Sequence, residues 1–557
     1  MTSTPYDMIP SEHFNGANKA VNTWHVVIAF IVSSLLIAAY SHLIGLNITP
    51  FKAESGLFIA QAWAHGDHSD FIKPWLTHAR NGHFTPVFFI LEFVQSGWFG
   101  ADEQYWFIRQ MLVLGLLSTS LYLLSRSALA FTSLHRRACA VIAGLVTIAF
   151  VVQPTVLELT TWPFMAAQLL CIACGAMATS NLLNATRTSH IKPIYWALAW
   201  GYASMHLFGV GFTISVTVIV ATIACTWALR LPAKAYAATA VSTVMTLIHA
   251  AIMAQSPEQT TGERAISLGD HVIRMGALYM GSVQGGARSL WANGRFPWPN
   301  PDSYATDAAY GYALLFAFVA TSIALLWKAR REQKPLLAAY GLLAGIFAFS
   351  LGLYCALIVV RLQYSPGNTA INPFLFGTRY LIFPAFFIFL LSPLLLILMA
   401  KSMGNWVILP AGAMGGGAAI GTYVFFMTVT TLWPIFATPF SVTWPKIVDD
   451  ARVQLKTNGF IQDRPLLELD PELHAELHQF SGLLESELGC RDCVKFQKKV
   501  NEDGDGKVGT PALLKASAAE ALGSTFQPCY LQSTLIQSDV QYPDRSKPPF
   551  PEYRIAF

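Results

Sequence analysis

The sequence predicts an all-α polytopic membrane protein of about eleven transmembrane helices, followed by a smaller extracytoplasmic C-terminal domain. Three observations predict it. The chain has 557 residues, of which 54% are apolar and 12% charged, with a mean hydropathy of +0.45; an ordinary soluble protein is about 25% charged. Apolar runs long enough to cross a hydrocarbon core of about 30 Å recur as far as residue 430. Basic and acidic residues sort onto alternate connections between those runs. Gly (39), Pro (30) and Cys (8) stand near ordinary frequency, which excludes collagen-like, disordered and disulfide-scaffold classes.

The runs lie at 24–46, 105–126, 137–153, 162–184, 193–207, 209–229, 235–254, 306–327, 336–360, 380–400 and 405–430. The first is longer than the h-region of a signal peptide and no Ala-x-Ala site follows it, so it reads as an uncleaved helix. The fifth and sixth adjoin at Leu207–Phe208, which leaves a bent pair or one long helix open. The run 84–99 is too short to span and is placed as an interfacial or re-entrant helix.

Basic connections stay cytoplasmic. Arg136, Arg137, Arg187, Lys192, Arg230, Lys234 and the Lys328–Lys334 stretch then lie inside, and 12 of the 15 acids before residue 431 lie outside. The division is a cytoplasmic segment 1–23, a membrane body 24–430 with a first outer loop 47–104, and an extracytoplasmic domain 431–557. The body carries 23 Lys+Arg against 15 Asp+Glu and the tail 13 against 17. The basic residues are scattered along membrane edges, which excludes a nucleic-acid surface. Cys139, Cys171, Cys174, Cys225 and Cys355 fall in apolar helices as small hydrophobes. In the tail, Cys490 or Cys493 with Cys529 reads as a structural disulfide. Asn501–Gly506 hints at a calcium loop, but its twelfth position is Ala512 rather than Glu.

Polar residues gather in three places. The first outer loop is long, aromatic and rich in groups that titrate, among them Glu54, His65, Asp67, His68 and His83. Glu54 follows the first helix closely, where the bilayer edge can desolvate a carboxylate and tune it toward general-base work. His65-Gly-Asp67-His68 resembles part of a divalent-metal site, with no third or fourth ligand set by spacing. The second outer loop puts Glu158 and Trp162 at a helix entrance, with Gln168 about two turns below; helix–helix hydrogen bonding is the plain alternative for Gln168. The third place is Arg379 with Tyr380, opening a late helix. An Arg there either snorkels to headgroups or clamps a phosphate. Arg288 and Arg295, beside Trp291, Trp298 and Tyr304, suit either a phosphorylated sugar lipid or an interface belt.

These places, in this order, resemble the GT-C superfamily of polytopic glycosyltransferases. The likeness lies in Glu54 just past the first helix, the Asn81-Gly-His83-Phe-Thr-Pro86 turn, the string Glu158-x-x-x-Trp162-x-Phe164-x-x-x-Gln168, and Thr378-Arg379-Tyr380-Leu-Ile-Phe-Pro384. Many relatives show a plain Asp or paired acids in the first loop. Here Glu54 stands with Asp67 thirteen residues on, so the base is one or the other. The resemblance implies a GT-C-like arrangement and an inverting transfer of sugar from a polyprenyl-phosphate carrier, within the inner membrane. The acceptor would be an extracytoplasmic glycan, lipid or protein. Glu54 or Asp67 would be the catalytic carboxylate, and Glu158, Trp162, Gln168, His83, Arg288, Arg295, Arg379 and Tyr380 would bind substrate. The alternative is a lipid-linked sugar flippase or other transporter, which wants mid-depth charges and repeated halves that this sequence lacks. A membrane acyltransferase would lean on His206 or His249, each a lone histidine in an apolar setting.

Overall fold

The computed structural model describes residues 23–46, 48, 55, 58, 59, 62, 69–79, 84–100, 102–255, 267–289, 304–362, 378–436, 461–466 and 494–498. In chain order its helices are α1 (Thr23–Leu43), α2 (Ser69–Thr77), α3 (Pro86–Phe99), α4 (Glu103–Leu129), α5 (Arg136–Val151), α6 (Pro154–Thr160) and, after a 3-10 turn at Pro163–Met165, α7 (Ala166–Thr188). There follow α8 (Lys192–Met205), α9 (Val210–Leu229), α10 (Ala233–Met253), α11 (Leu268–Ser289), α12 (Tyr304–Glu332) and α13 (Pro335–Leu362). The last are α14 (Thr378–Phe389), α15 (Ser392–Met403) and α16 (Ile408–Phe436). In the tail two short strands, β1 (Ile461–Leu466) and β2 (Val494–Lys498), pair in parallel with Ile461 opposite Val494.

Every predicted run is helical, and eight stretches among the described residues are long and apolar enough to cross a bilayer. The chain is a polytopic helical membrane protein. Two runs differ in detail from the expectation. The run 380–400 breaks at Leu390–Leu391 into α14 and α15, where Ser392-Pro393 starts a new helix with a residue that lacks an N–H. The fifth and sixth are separate helices joined at His206–Gly209. There Ser204 Oγ donates to the Gly211 carbonyl at 2.9 Å, and a Cβ at Gly211 would lie 1.8 Å from the Ser204 oxygen, so only glycine permits the hairpin. The short run at 84–99 is α3, 14 residues or about 21 Å long, shorter than the eight candidate spans.

Side-chain contacts order the ends of the bundle. Ser127 and Ser180 hydroxyls meet at 2.8 Å, so α4 and α7 finish together. Cys171 Sγ reaches the Ser204 carbonyl, which sets α8 antiparallel to α7, and Ser215 meets Thr246, which sets α10 antiparallel to α9. Arg330 donates to the Trp227 carbonyl and its guanidinium lies 4.7 Å from the Trp227 ring centre, so α9 and α12 finish side by side. The connections bearing Arg136, Arg137, Arg187, Lys192, Arg230, Lys234 and Lys328–Lys334 thus share one end, called here the basic end.

The sequence predicts a connection over 254–305, yet α11 is 22 residues long. Its apolar residues recur on one face around Ala277, Leu278 and Tyr279, all buried, while Leu268, Val272 and Ile273 stay exposed; run-averaged hydropathy misses such a helix. The ends that flank α11, that of α10 and the start of α12, lie opposite the basic end. Helix α11 lies against α12 with backbones in contact: a Cβ at Gly311 would sit 2.0 Å from the Gly276 oxygen. Gly311→Ala is therefore expected to force the helices apart, at about 1–3 kcal/mol, read as a lower melting midpoint. An unchanged midpoint would mean the two backbones do not touch.

The core is built for close approach. Within α7, Ala166, Ala167, Cys171, Cys174, Ala176, Ala178 and Ala185 are buried, the small-residue pattern by which membrane helices gain dispersion contacts. Of the five helical cysteines all but Cys139 are buried, as expected of small hydrophobes.

Candidate functional site

At the end opposite the basic connections, residues far apart in sequence meet. The Phe164 N–H donates to Ser55 Oγ at 2.9 Å, with both groups buried. Phe164 has a donor to spare because it lies in the 3-10 turn behind Trp162-Pro163, where regular helix bonding has lapsed. Around this bond an aromatic cluster closes. The Phe58 ring stacks on Phe164 and Phe89 with centroids 5.8 and 6.0 Å away, and Trp75 meets Phe89 at 4.4 Å. Phe58, α2, α3 and the entrance of α7 thereby pack together, at about 0.5–1.5 kcal/mol per ring pair beyond burial.

The connection around α6 is held by α4. Gln110, fully buried, donates through Nε2 to the Thr160 carbonyl at 2.9 Å and more weakly to that of Trp162 at 3.4 Å. One residue before it, Arg109 forms a two-pronged ion pair with Glu92 of α3, at 3.3 and 2.5 Å. The Arg109 guanidinium also lies 4.9 Å from the Trp106 ring centre, and Trp106 Nε1 donates to the Gly100 carbonyl. Asp102 caps α4 by accepting from the Gln104 and Tyr105 amides. The α3–α4 corner is thus a rigid plate under the loop.

Among the expected site residues, Glu158 lies on α6, Arg288 near the end of α11, and Arg379 with Tyr380 in the first turn of α14. Helix α6 packs against α14, and α14 against α11. At the second of these contacts a Cβ on Gly286 would fall 2.7 Å from the Pro384 carbonyl carbon. The helices carrying Glu158, Arg379 and Arg288 are therefore neighbours. Trp162 is buried in the turn between α6 and α7. Gln168 is buried as well, but its Oε1 has no hydrogen-bond partner among the described residues, so the helix–helix bond expected of it is not made through that atom. Glu54, Asp67, His83 and Arg295, with His65 and His68, lie outside the described residues. Among the described residues no group of three or more His, Cys, Asp or Glu is placed to hold a metal ion.

Two further features escaped the sequence reading. Glu92, counted there among outer loop acids, is fully buried against Arg109. A single acid in a short apolar run and a single cation near the start of an apolar helix are each too costly to stand alone, which was the available signal. His206 and His249 are not lone histidines: their rings meet at 5.5 Å, with Tyr202 against His206 at 4.8 Å and Phe84 against His249 at 5.4 Å. Burial lowers the pKa of His206, in the α8–α9 turn, and favours its neutral form.

No family model matches the chain, and no curated protein matches it. Among solved structures the chain is similar to the crystal structure of ArnT from Cupriavidus metallidurans bound to undecaprenyl phosphate, at 13% identity and a TM-score of 0.35, over 92% of this chain and 89% of that one.

Proposed function

We propose that the chain is an integral membrane glycosyltransferase of GT-C type that moves a sugar from a polyprenyl-phosphate carrier to an extracytoplasmic glycan, lipid or protein. Its N-terminus lies in the cytoplasm, its tail outside the inner membrane, and the chemistry runs at the outer rim. A carboxylate, Glu54 by first choice and Asp67 by second, takes the proton of an acceptor hydroxyl. The oxygen bonds to the anomeric carbon as the carbon–phosphate oxygen bond breaks, and that electron pair leaves on the phosphate. Arg379, with Arg288 or Arg295, stabilises the charge that develops there. Glu158 orients the acceptor or the base, while Trp162, His83, Gln168 and Tyr380 line the substrate. One displacement inverts the sugar.

The observation that carries this reading is the Ser55–Phe164 hydrogen bond, at 2.9 Å between residues 109 apart in sequence. Further support comes from α6, the helix of Glu158, which packs against α14, the helix of Arg379. The test supplies the purified chain in lipid nanodiscs with a radiolabelled polyprenyl-phosphate hexose and candidate acceptors. Acceptor-dependent release of bare polyprenyl phosphate is expected. Movement of the intact lipid across a bilayer without cleavage would instead make the chain a flippase and overturn the proposal.

A further inference from the structure

Two turns at the basic end carry positive charge that their own residues do not neutralise. Helix α9 ends and α10 begins around Arg230 and Lys234, while α12 ends and α13 begins around Lys328, Arg330, Arg331 and Lys334. The turns adjoin, because Arg330 donates to the Trp227 carbonyl and its guanidinium lies 4.7 Å from the Trp227 ring centre. Against these six cations the two turns hold one acid, Glu332, which Lys334 meets at 2.7 Å and Lys328 at 3.9 Å. Helix dipoles leave the balance as it is: two helices end here and two begin, so end charges of about half a unit cancel.

Cations on an ordinary loop extend into water and are solvated there. Two of these do not. Arg330 is half-buried, held by a neutral carbonyl and a neutral ring, and the Arg331 guanidinium lies 5.7 Å from the Trp327 ring centre. Trp227 and Trp327 are 38% and 55% exposed on the outer surfaces of apolar helices, as indoles are where a membrane meets water. The two arginines are thereby fixed at headgroup depth, beside neighbours that satisfy their geometry and not their charge. A guanidinium so placed meets a lipid phosphate through paired N–H groups. The surplus charge selects a headgroup that is itself net negative, since a zwitterionic one brings its own cation.

We propose that the adjoining α9–α10 and α12–α13 turns form a binding surface for acidic phospholipid headgroups of the neighbouring leaflet. Arg230, Lys234, Arg330 and Arg331 face the phosphates, and Trp227 and Trp327 stand against the boundary of the acyl chains. The surface lies at the end opposite the proposed transfer site, so it holds whether or not the chain transfers sugar.

The test uses the purified full-length chain, stripped of lipid in detergent and given phosphatidylcholine, phosphatidylglycerol or inorganic phosphate. Bound lipid is counted by native mass spectrometry, with the melting midpoint read beside it. The unaltered chain is expected to hold phosphatidylglycerol about tenfold more tightly than phosphatidylcholine and to melt higher with it. Arg230→Gln combined with Arg331→Gln is expected to weaken phosphatidylglycerol binding about tenfold and leave phosphatidylcholine binding unchanged. Should that pair fail to fold, Lys234→Gln with Lys334→Gln, both exposed, replaces it. Removing the same charge elsewhere at the basic end, with Arg136→Gln and Arg137→Gln on α5, is expected to leave the preference intact. Equal binding of both lipids by the unaltered chain would overturn the proposal and make the cations ordinary snorkelling side chains. A preference kept in the patch variant, or lost as fully in the Arg136–Arg137 variant, would overturn it in favour of a diffuse field. Displacement of phosphatidylglycerol by an equal concentration of inorganic phosphate would overturn the lipid assignment and leave a site for small anions.

Discussion

Replacing Glu54 by Gln is expected to lower sugar transfer about 10²–10⁴-fold, the range a positioned general base contributes, while protein yield and lipid binding stay as they were. The amide has the shape of the carboxyl group but cannot take the acceptor's proton, so the loss belongs in kcat rather than KM. Ser55, the next residue along the chain, has its hydroxyl tied to the Phe164 amide. Asp67→Asn is the matched comparison. If that change abolishes transfer and Glu54→Gln does not, the base is Asp67. Full rates in both variants would remove carboxylate catalysis from the mechanism.

Arg109→Ala is expected to cost about 3–5 kcal/mol of stability, because it leaves a carboxylate buried without its counter-charge. The converse change, Glu92→Ala, should cost less. Arg109 is 13% exposed at its side chain and lies over the Trp106 ring, whereas Glu92 is 0% exposed, so the arginine has water and a π face to turn to and the glutamate has neither. Paired replacement by leucine should recover most of the loss, since two apolar side chains need no partner. Denaturant or thermal unfolding of the unaltered chain, the two alanine variants and the alanine double variant forms a double-mutant cycle, with the leucine pair measured beside it. Equal, small effects in both single variants would show the pair to be solvated. Because the Glu92–Arg109 corner supports Gln110 and through it the Thr160–Trp162 turn, the single variants should also slow transfer.

The positions of the long helices were legible because hydrophobic length is a local property: a run near 20 apolar residues satisfies its own backbone in lipid whatever surrounds it. Caps were equally local, as at Asp102 and at the prolines that open α3, α6, α8 and α15. The amphipathic α11 was missed because half of its surface is polar or small, and an average over the run hides a face. The α14–α15 break was missed because Ser392-Pro393 stands in an otherwise apolar run, whose averaged hydropathy hardly changes where direction does.

The string of residues thus located the long apolar segments and showed which connections are basic. It could not say which outer segments touch. Ser55 with Phe164, Gln110 with Thr160, Glu92 with Arg109 and His206 with His249 are partnerships between separate elements, made possible when packed helices close the intervening loops. Partner choice at such distances depends on the shapes of the surfaces that meet, a property of the folded bundle and of no single segment.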